Sequence, residues 1–375
     1  MSGKFNKYIK DCIKNVELIN NSKNRNYIYN NEKNYLSSLK QQAKDAKLTS
    51  KQKKDIDIIL WNNRNNDGLF SAVIANHFLK ENNKEDVLYF YTGQSSSAMS
   101  RLPIKDDILK DKNLLIVDLV FHENIYDKLS QLCKSVIVID DHEQPKINSK
   151  NITIITSNSG HGSCALTWEI FYPKEKIPRV LMMIDTADSK KFAKFLPHAN
   201  LLTSALNFRY LQNPKFKGKW NDPTVYDELW NVINDSATFW IIIGDYMAEV
   251  QENMKNQIAN NARMANFQGY KVGVLNFNDP VLTKRIGRQI NTNFGDKIDF
   301  AVLWGWEYTN NAYRVQLIGH HRITDTIDLS KMANQLAKIG GHPRGGGGHG
   351  KNIGNFYWPK NKDKDIWTLF QKKYI

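Results

Sequence analysis

Oxygen and imidazole donors stand directly after apolar runs at four points in the first half of the chain. Asn65-Asn66-Asp67-Gly68 follows Ile58-Ile59-Leu60-Trp61, and Asp118 follows Leu114-Leu115-Ile116-Val117. Asp140-Asp141-His142-Glu143 follows Val136-Ile137-Val138-Ile139, and Asp185 follows Leu181-Met182-Met183-Ile184. Carboxylates with an imidazole are the donor set of a divalent cation such as Mn²⁺ or Mg²⁺. For them to meet, the apolar runs must lie side by side with one polarity, because ligands of an open parallel sheet collect outside the carboxyl ends of its strands. Plainer uses exist for the single residues: Asp67-Gly68 is a common turn, and an Asp after a strand can cap the next helix. Three polar residues in a row at Asp140, Asp141 and His142 are harder to explain by structure alone.

The elements that would position these donors follow from periodicity. Between Asp55 and Leu166 short apolar runs alternate with amphipathic segments such as 71–80 and 124–132, which implies βαβ units and a parallel sheet. Residues 166–250 read as mainly helical, with Trp168, Ile170, Phe171, Val232, Phe239, Ile242 and Met247 on apolar faces. A second α/β pattern opens at Tyr270, with strands over 271–276, 300–304 and 313–318 and helical spacing over 281–290 and 329–339. At 375 residues the chain exceeds one ordinary core. The expected division is a basic helical N-terminal extension over 1–54, a metal-binding domain over 55–250, a linker helix or hinge over 251–265 and a smaller domain over 266–375, with a cleft between the two domains. The extension is read from Lys- and Asn-rich composition with Ile9, Ile13, Val16, Tyr35, Leu36 and Leu39 at helical intervals.

The formal net charge of +14 suits a polyanionic partner, nucleic acid or nucleotide phosphates above all, although an overall enrichment in Lys and Asn would give the same number without a ligand. Cys12, Cys133 and Cys164 lack paired spacing, so neither a disulfide framework nor a thiolate zinc site is expected. The longest apolar run, near Phe239 to Ile243, is far shorter than the roughly 20 residues of a membrane span. A soluble, unsecreted protein of the cytoplasm or another reducing compartment is the expectation, without a membrane partner and with homodimerisation open.

Gly340-Gly341-His342-Pro343-Arg344-Gly345-Gly346-Gly347-Gly348-His349-Gly350 follows a helical run. Glycine at a helix end supplies a left-handed cap, and successive residues without Cβ let backbone N–H groups approach a phosphate. Gly341, His342 and Arg344, with Arg314, His320, His321 and Arg322 from the same region, are therefore candidate substrate-binding residues, and His161 in a loop before small residues 163–165 is another.

Taken in order, these motifs resemble the DHH phosphoesterase superfamily, which includes RecJ-type exonucleases, oligoribonucleotide and cyclic-dinucleotide phosphodiesterases and manganese pyrophosphatases. Asn65-Asn66-Asp67-Gly68-Leu69-Phe70-Ser71-Ala72 is similar to the family's Asp-x-Asp-Gly motif, Asp118 to its second motif, and Asp141-His142-Glu143 to the Asp-His-His. The fourth-motif Asp falls at Asp185 or Asp188. Gly340 to Gly347 resembles the glycine loop of the DHH-associated C-terminal domain, and Asn276-Phe277 with Lys284 to Gly287 its first loop and helix.

The resemblance implies metal-dependent hydrolysis of phosphodiesters, with two Mn²⁺ ions in the complete site. One ion's ligands survive here as Asp67, Asp118, His142 and Asp185 or Asp188; those of the other do not. Trp61 or Asn63 stands where the family has an upstream His, Asn65 replaces its first Asp, and Glu143 its second His. A neutral amide is a poor ligand for a hard ion, so one Mn²⁺ or Mg²⁺ is expected rather than two. Asp67, Asp118, His142 and Glu143 are the candidate catalytic residues. The expected function is a divergent DHH-type phosphoesterase acting on or binding short or single-stranded nucleic acid; the alternative is an impaired homologue that binds without turnover, with a packaging or scaffold role also open.

Overall fold

The computed structural model describes residues 36–46, 48–93, 99–157, 160–190, 196–213, 216, 219–220, 222–279, 282–319, 327–343, 345–348, 351–360 and 366–370. The chain divides into two compact units, Met1–Met247 and Ala248–Ile375.

In the first unit, β1 (Ile58–Asn62), β2 (Leu88–Thr92), β3 (Asn113–Val117), β4 (Ser135–Asp140) and β5 (Ile152–Thr156) form one sheet in the order β2-β1-β3-β4-β5. All its pairs are parallel. The central strands are apolar on both faces, as a parallel sheet covered on two sides requires. Ile59, Trp61, Leu115, Val117, Ile137 and Ile139 enter one core with α1 (Asn66–Glu81), α3 (Ser163–Phe171) and α4 (Arg179–Ser189). Their alternates Ile58, Leu60, Leu114, Ile116, Val136 and Val138 enter the other, with Ile125, Tyr126 and Leu129 of α2 (Glu123–Leu132). Strand order reverses between β1 and β3, so the chain leaves these neighbours toward opposite faces and opens a crevice at their carboxyl ends.

The helices α5 (Leu196–Leu206), α6 (Pro223–Asn234) and α7 (Ala237–Ala259) complete the helical stretch expected after residue 166. Phe239, expected on an apolar face, is instead 52% exposed. The run before Asp185 lies in α4, within the stretch expected to be helical: Val180, Leu181, Met183 and Ile184 are buried at helical spacing, so Asp185 follows no strand of the sheet. Residues 36–54 are not separate from the first unit, because Leu39 is fully buried in its core and Lys53 Nζ donates to Ile170 O at 2.9 Å. The remainder of the expected extension, residues 1–35, lies outside the described residues.

The second unit holds a six-stranded mixed sheet, ordered β10-β11-β9-β8-β7-β6. Its strands are β6 (Arg263–Phe267), β7 (Tyr270–Asn276), β8 (Phe300–Glu307), β9 (Ala312–Gly319), β10 (Gly346–Gly347) and β11 (Ile353–Pro359), and only the β7–β8 pair is parallel. Ile286 and Ile290 of α8 (Thr283–Phe294) cover one face with Leu303 and Ile318; Met332 and Leu336 of α9 (Leu329–Gly340) cover the other with Val302 and Phe356.

Candidate metal centre

β3 ends at Val117, and Asp118 turns out of the strand with φ 55°, a left-handed conformation that is uncommon outside glycine. Its N–H still donates to Ile139 O of β4 at 3.0 Å, which fixes the carboxylate between neighbouring strand ends. Asp118 is fully buried. Oδ2 accepts from Asn62 Nδ2 at 2.9 Å, whereas Oδ1 has no hydrogen-bond partner among the described residues. An acceptor buried and unsatisfied costs about 1–3 kcal/mol, more when charged, so this oxygen calls for a cation or a proton.

β4 supplies the neighbours. Asp140, its last residue, is fully buried, with Oδ1 2.8 Å from His142 Nδ1 and Oδ2 accepting from Gln144. His142 Nδ1 lies 3.4 Å from Asp141 Oδ1 and 4.0 Å from Asp118 Oδ1. One ligand atom each from Asp118, Asp140, Asp141 and His142 lies within 4.8 Å of the others, and Asp67, Asp141 and Asp188 form a second such group. Asp141 belongs to both.

Asp67 reaches the site from the first turn of α1, whose start is fixed by the Asn65 side chain accepting from Gly68 N at 2.9 Å. It also locks the opposite wall: Oδ2 accepts from Ser163 N at 2.6 Å and Oδ1 from Cys164 N at 2.9 Å, the free N–H groups at the start of α3.

Crowding of like charges in a buried place raises carboxyl pKa values. Burial and then Asp118 push Asp67 up; burial and then Asp140 and Asp141 push Asp118 up, against a hydrogen bond from Asn65. Asp141 is raised to about 7 by burial, and Asp188 is raised for the same reason. His142 moves up to about 9, first through its hydrogen bond to Asp140. Carboxylates, an imidazole and one orphaned buried oxygen fit a hard divalent ion, which would remove the repulsion.

Of the expected ligands, Asp67, Asp118, His142 and Asp188 are brought together. Asp185 is not. It is fully buried behind the site, with Oδ1 accepting from Gly162 N and Oδ2 3.6 Å from His161 Nδ1. His161, expected to meet substrate, is 1% exposed and its Nε2 is 2.8 Å from Ser38 Oγ, so it is enclosed by helical packing. Glu143 is exposed on the wall of a cavity of about 630 Å³. Asp140 and Asp141 as ligands go beyond the expected set. A signal for Asp140 was available, since positions two apart on an extended chain share a side and Asp140 is paired so with His142.

The departures at the other half of the motif are structural commitments. Trp61 is fully buried, donates Nε1–H to Tyr226 Oη at 3.0 Å and meets Trp220 edge-on at 5.3 Å. Asn65 caps α1 and bonds Asp118. Asn63 lies in the turn after β1, partly exposed.

In the second unit, Gly341 caps α9 at φ 70°, as glycine at a helix end leads one to expect. His342 Nε2 donates to Asn310 O at 3.2 Å, and Arg314 Nε donates to Asn355 Oδ1 at 3.3 Å across β9 and β11. Beyond them Gly346 and Gly347 pair with β11, and a Cβ on Gly348 would lie 1.7 Å from Ile353 O, whereas one on Gly345, at φ 63°, would meet nothing within 4 Å. His320, His321, Arg322, Arg344 and His349 lie outside the described residues.

No protein-family model matches the chain. The uncharacterized protein R106 of Acanthamoeba polyphaga mimivirus is 21% identical over 309 residues, which are 79% of this chain and 66% of R106. The chain therefore spans just under two thirds of that relative. Among solved structures, a pGpG-specific phosphodiesterase, PggH, from Vibrio cholerae is 13% identical with a TM-score of 0.40, over 81% of this chain and 93% of that one. RecJ of Thermus thermophilus in complex with Mg²⁺ is 14% identical with a TM-score of 0.37, over 89% and 50%. The DHH domain of a member of a ribosomal protein family is 14% identical with a TM-score of 0.37, over 86% and 88%.

Proposed function

We propose that this protein is a divergent DHH-type phosphoesterase whose single well-formed metal centre acts on phosphodiesters of short or single-stranded nucleic acid or nucleotides. The observation that carries the reading is the convergence of Asp118, Asp140, Asp141 and His142 around the buried, unpartnered Asp118 Oδ1. These four would hold a Mn²⁺ or Mg²⁺ ion, with Asp67 and Asp188 reaching a neighbouring position through Asp141. When bound, such an ion lowers the pKa of water and offsets phosphate charge.

The chain's own residues set the stage for that chemistry. The start of α3 holds Asp67 in place through two N–H groups, and Asp185 fixes the preceding loop through Gly162. His142, half exposed at the mouth, carries a proton up to about pH 9 in the metal-free protein and would release it on taking up the ion. Glu143 repels phosphate from the adjoining wall and so confines it to the cluster.

One specific observation favours a second reading, binding without turnover: Trp61 and Asn65 are committed to the core and to a helix cap, so neither supplies the imidazole or carboxylate that the resemblance assigns to those positions. Metal content of the purified full chain, with hydrolysis of oligonucleotides and dinucleotides in Mn²⁺, separates the two. One tightly held ion per chain with mononucleotide release supports hydrolysis; one ion with salt-sensitive oligonucleotide binding and no release supports the binder. Absence of any tight ion would sink both. Asp188→Asn should weaken the ion about 10- to 100-fold, the range of losses at metal-site groups, whereas Asp185→Asn should act chiefly on thermal stability; the reverse order would restore Asp185 as the ligand.

A further inference from the structure

The cavity of about 630 Å³ beside the cluster is lined by Asp141, His142, Glu143, Gln144, Pro145, Ile147, Ile152, Ile154, Thr156 and Ser157. Two of these, Asp141 and His142, also belong to the candidate metal centre, so whatever occupies the cavity adjoins the reacting phosphate. Its volume lies within the range of small-molecule pockets. Its floor comes from β5, the edge strand of the sheet, where Ile152 and Ile154 remain only partly buried and offer an apolar surface. Gln144 is not available to a ligand, being held between Tyr126 Oη at 2.7 Å and Asp140. Glu143 is exposed on the wall, an acceptor-only group when ionised.

We propose, resting on the phosphoester reading, that this cavity is a nucleobase subsite selective for guanine, with Glu143 accepting its N1–H and N2–H. An apolar floor with a carboxylate wall excludes phosphate and suits a flat, uncharged group that donates hydrogen bonds. Among the common bases only guanine presents two adjacent donors that a carboxylate can accept in parallel. Adenine and cytosine place a lone-pair nitrogen beside their amino group, which a carboxylate repels, and uracil has a single N–H between two carbonyls. The substitution that makes Glu143 a poor phosphate ligand therefore makes it a good base reader.

The test is equilibrium titration of the full chain with GMP, IMP, AMP, CMP and UMP, in Mn²⁺ and again in chelator, for the wild type and Glu143→Gln. A good bidentate contact discriminates by about 1–3 kcal/mol, or roughly ten- to a hundredfold. GMP should bind at least tenfold tighter than AMP or CMP. IMP, which lacks the N2 amino group, should fall between, and Glu143→Gln should erase the difference, weakening GMP and relieving the repulsion of AMP. Glu143→His is the second variant, expected to lose guanine preference in the same way. Equal binding of all five nucleotides, no binding of any, or a GMP preference that survives Glu143→Gln would overturn the proposal. Mn²⁺ titration without nucleotide reads the metal centre independently, so a failed base subsite beside an intact ion site is distinguishable from failure of the phosphoester reading. A guanine preference seen in chelator supports the subsite even where no ion is bound.

Discussion

The acidic cluster after β1, β3 and β4 and the glycine-rich segment after α9 both looked like ligand sites in sequence, yet they are built on opposite principles. At the cluster, polar groups are buried with their valences unfilled: Asp118 Oδ1 has no partner among the described residues and the carboxylates crowd one another upward in pKa. At Gly346 and Gly348 of the glycine segment space is what is short, with Gly348 against Ile353 O and Gly346 against Ala333 O. Stored electrostatic cost marks the first as a place that a divalent cation would stabilise. Exhausted space marks Gly346 and Gly348 of the second as packing.

Paired substitutions should split the two regions most widely. Gly348→Ala must displace backbone and should destabilise the chain by about 3 kcal/mol or more, read as a lowered melting temperature, without changing the affinity for Mn²⁺. Asp118→Asn should do the converse. Affinity for Mn²⁺ falls about 100-fold, the loss typical of a metal-site group, while the metal-free protein gains about 1 kcal/mol as a strained functional group is removed. Calorimetric Mn²⁺ titration with thermal unfolding in chelator reads both; a destabilised Asp118→Asn would mean that the carboxylate serves the fold.

The pH dependence of the metal-free protein sharpens the contrast at smaller scale. Asp67, Asp118, Asp141 and Asp188 all have folded-state pKa values above the unfolded one, Asp141 at about 7. Groups of that kind contribute stability that is complete below the unfolded value, near 3.8, and is lost as pH rises through the folded value. His142, raised from 6.5 to about 9, acts in the same direction over a higher window. Protein in chelator should therefore melt at lower temperature at pH 8 than at pH 5. Added Mn²⁺ should stabilise more at pH 8, where protons no longer compete for the ligands. A chelated protein whose melting temperature is flat from pH 5 to pH 8 would remove the crowding argument.

The same contrast explains what could be read in advance. Parallel strands at 58–62, 113–117 and 135–140 announced themselves as apolar runs; Asp118 and His142 after two of them fall in one group, and Asp67 in a second that shares Asp141. Whether Asp185 or Asp188 is the fourth-motif residue stayed open in the sequence, because Leu181 to Ile184 is apolar without a gap and such a run does not fix which following acid faces the strand ends. The helix separates the two acids: Asp188 offers a carboxylate oxygen near Asp67 and Asp141, whereas Asp185 Oδ1 accepts from Gly162 N. His161 read as a loop histidine because nothing local reveals that Ser38, 123 positions earlier, lies against it. The glycines read as a phosphate cradle because composition records the missing Cβ but not which neighbour requires its absence.

Gly341 is the sharpest small test of that last point, since it belongs to the glycine segment yet was expected to touch substrate. Its φ of 70° and its N–H donated to Ala337 O at 2.9 Å are the geometry of a left-handed helix cap. Alanine there should cost about 1 kcal/mol, the ordinary penalty for a side chain in that region. The melting temperature should drop by a few degrees, with Mn²⁺ affinity and nucleotide binding unchanged. If Gly341→Ala leaves stability intact but weakens nucleotide binding, the cap is incidental and the glycine segment regains the role of a ligand site. The division between a region short of partners and a region short of space would then fail at its most exposed residue.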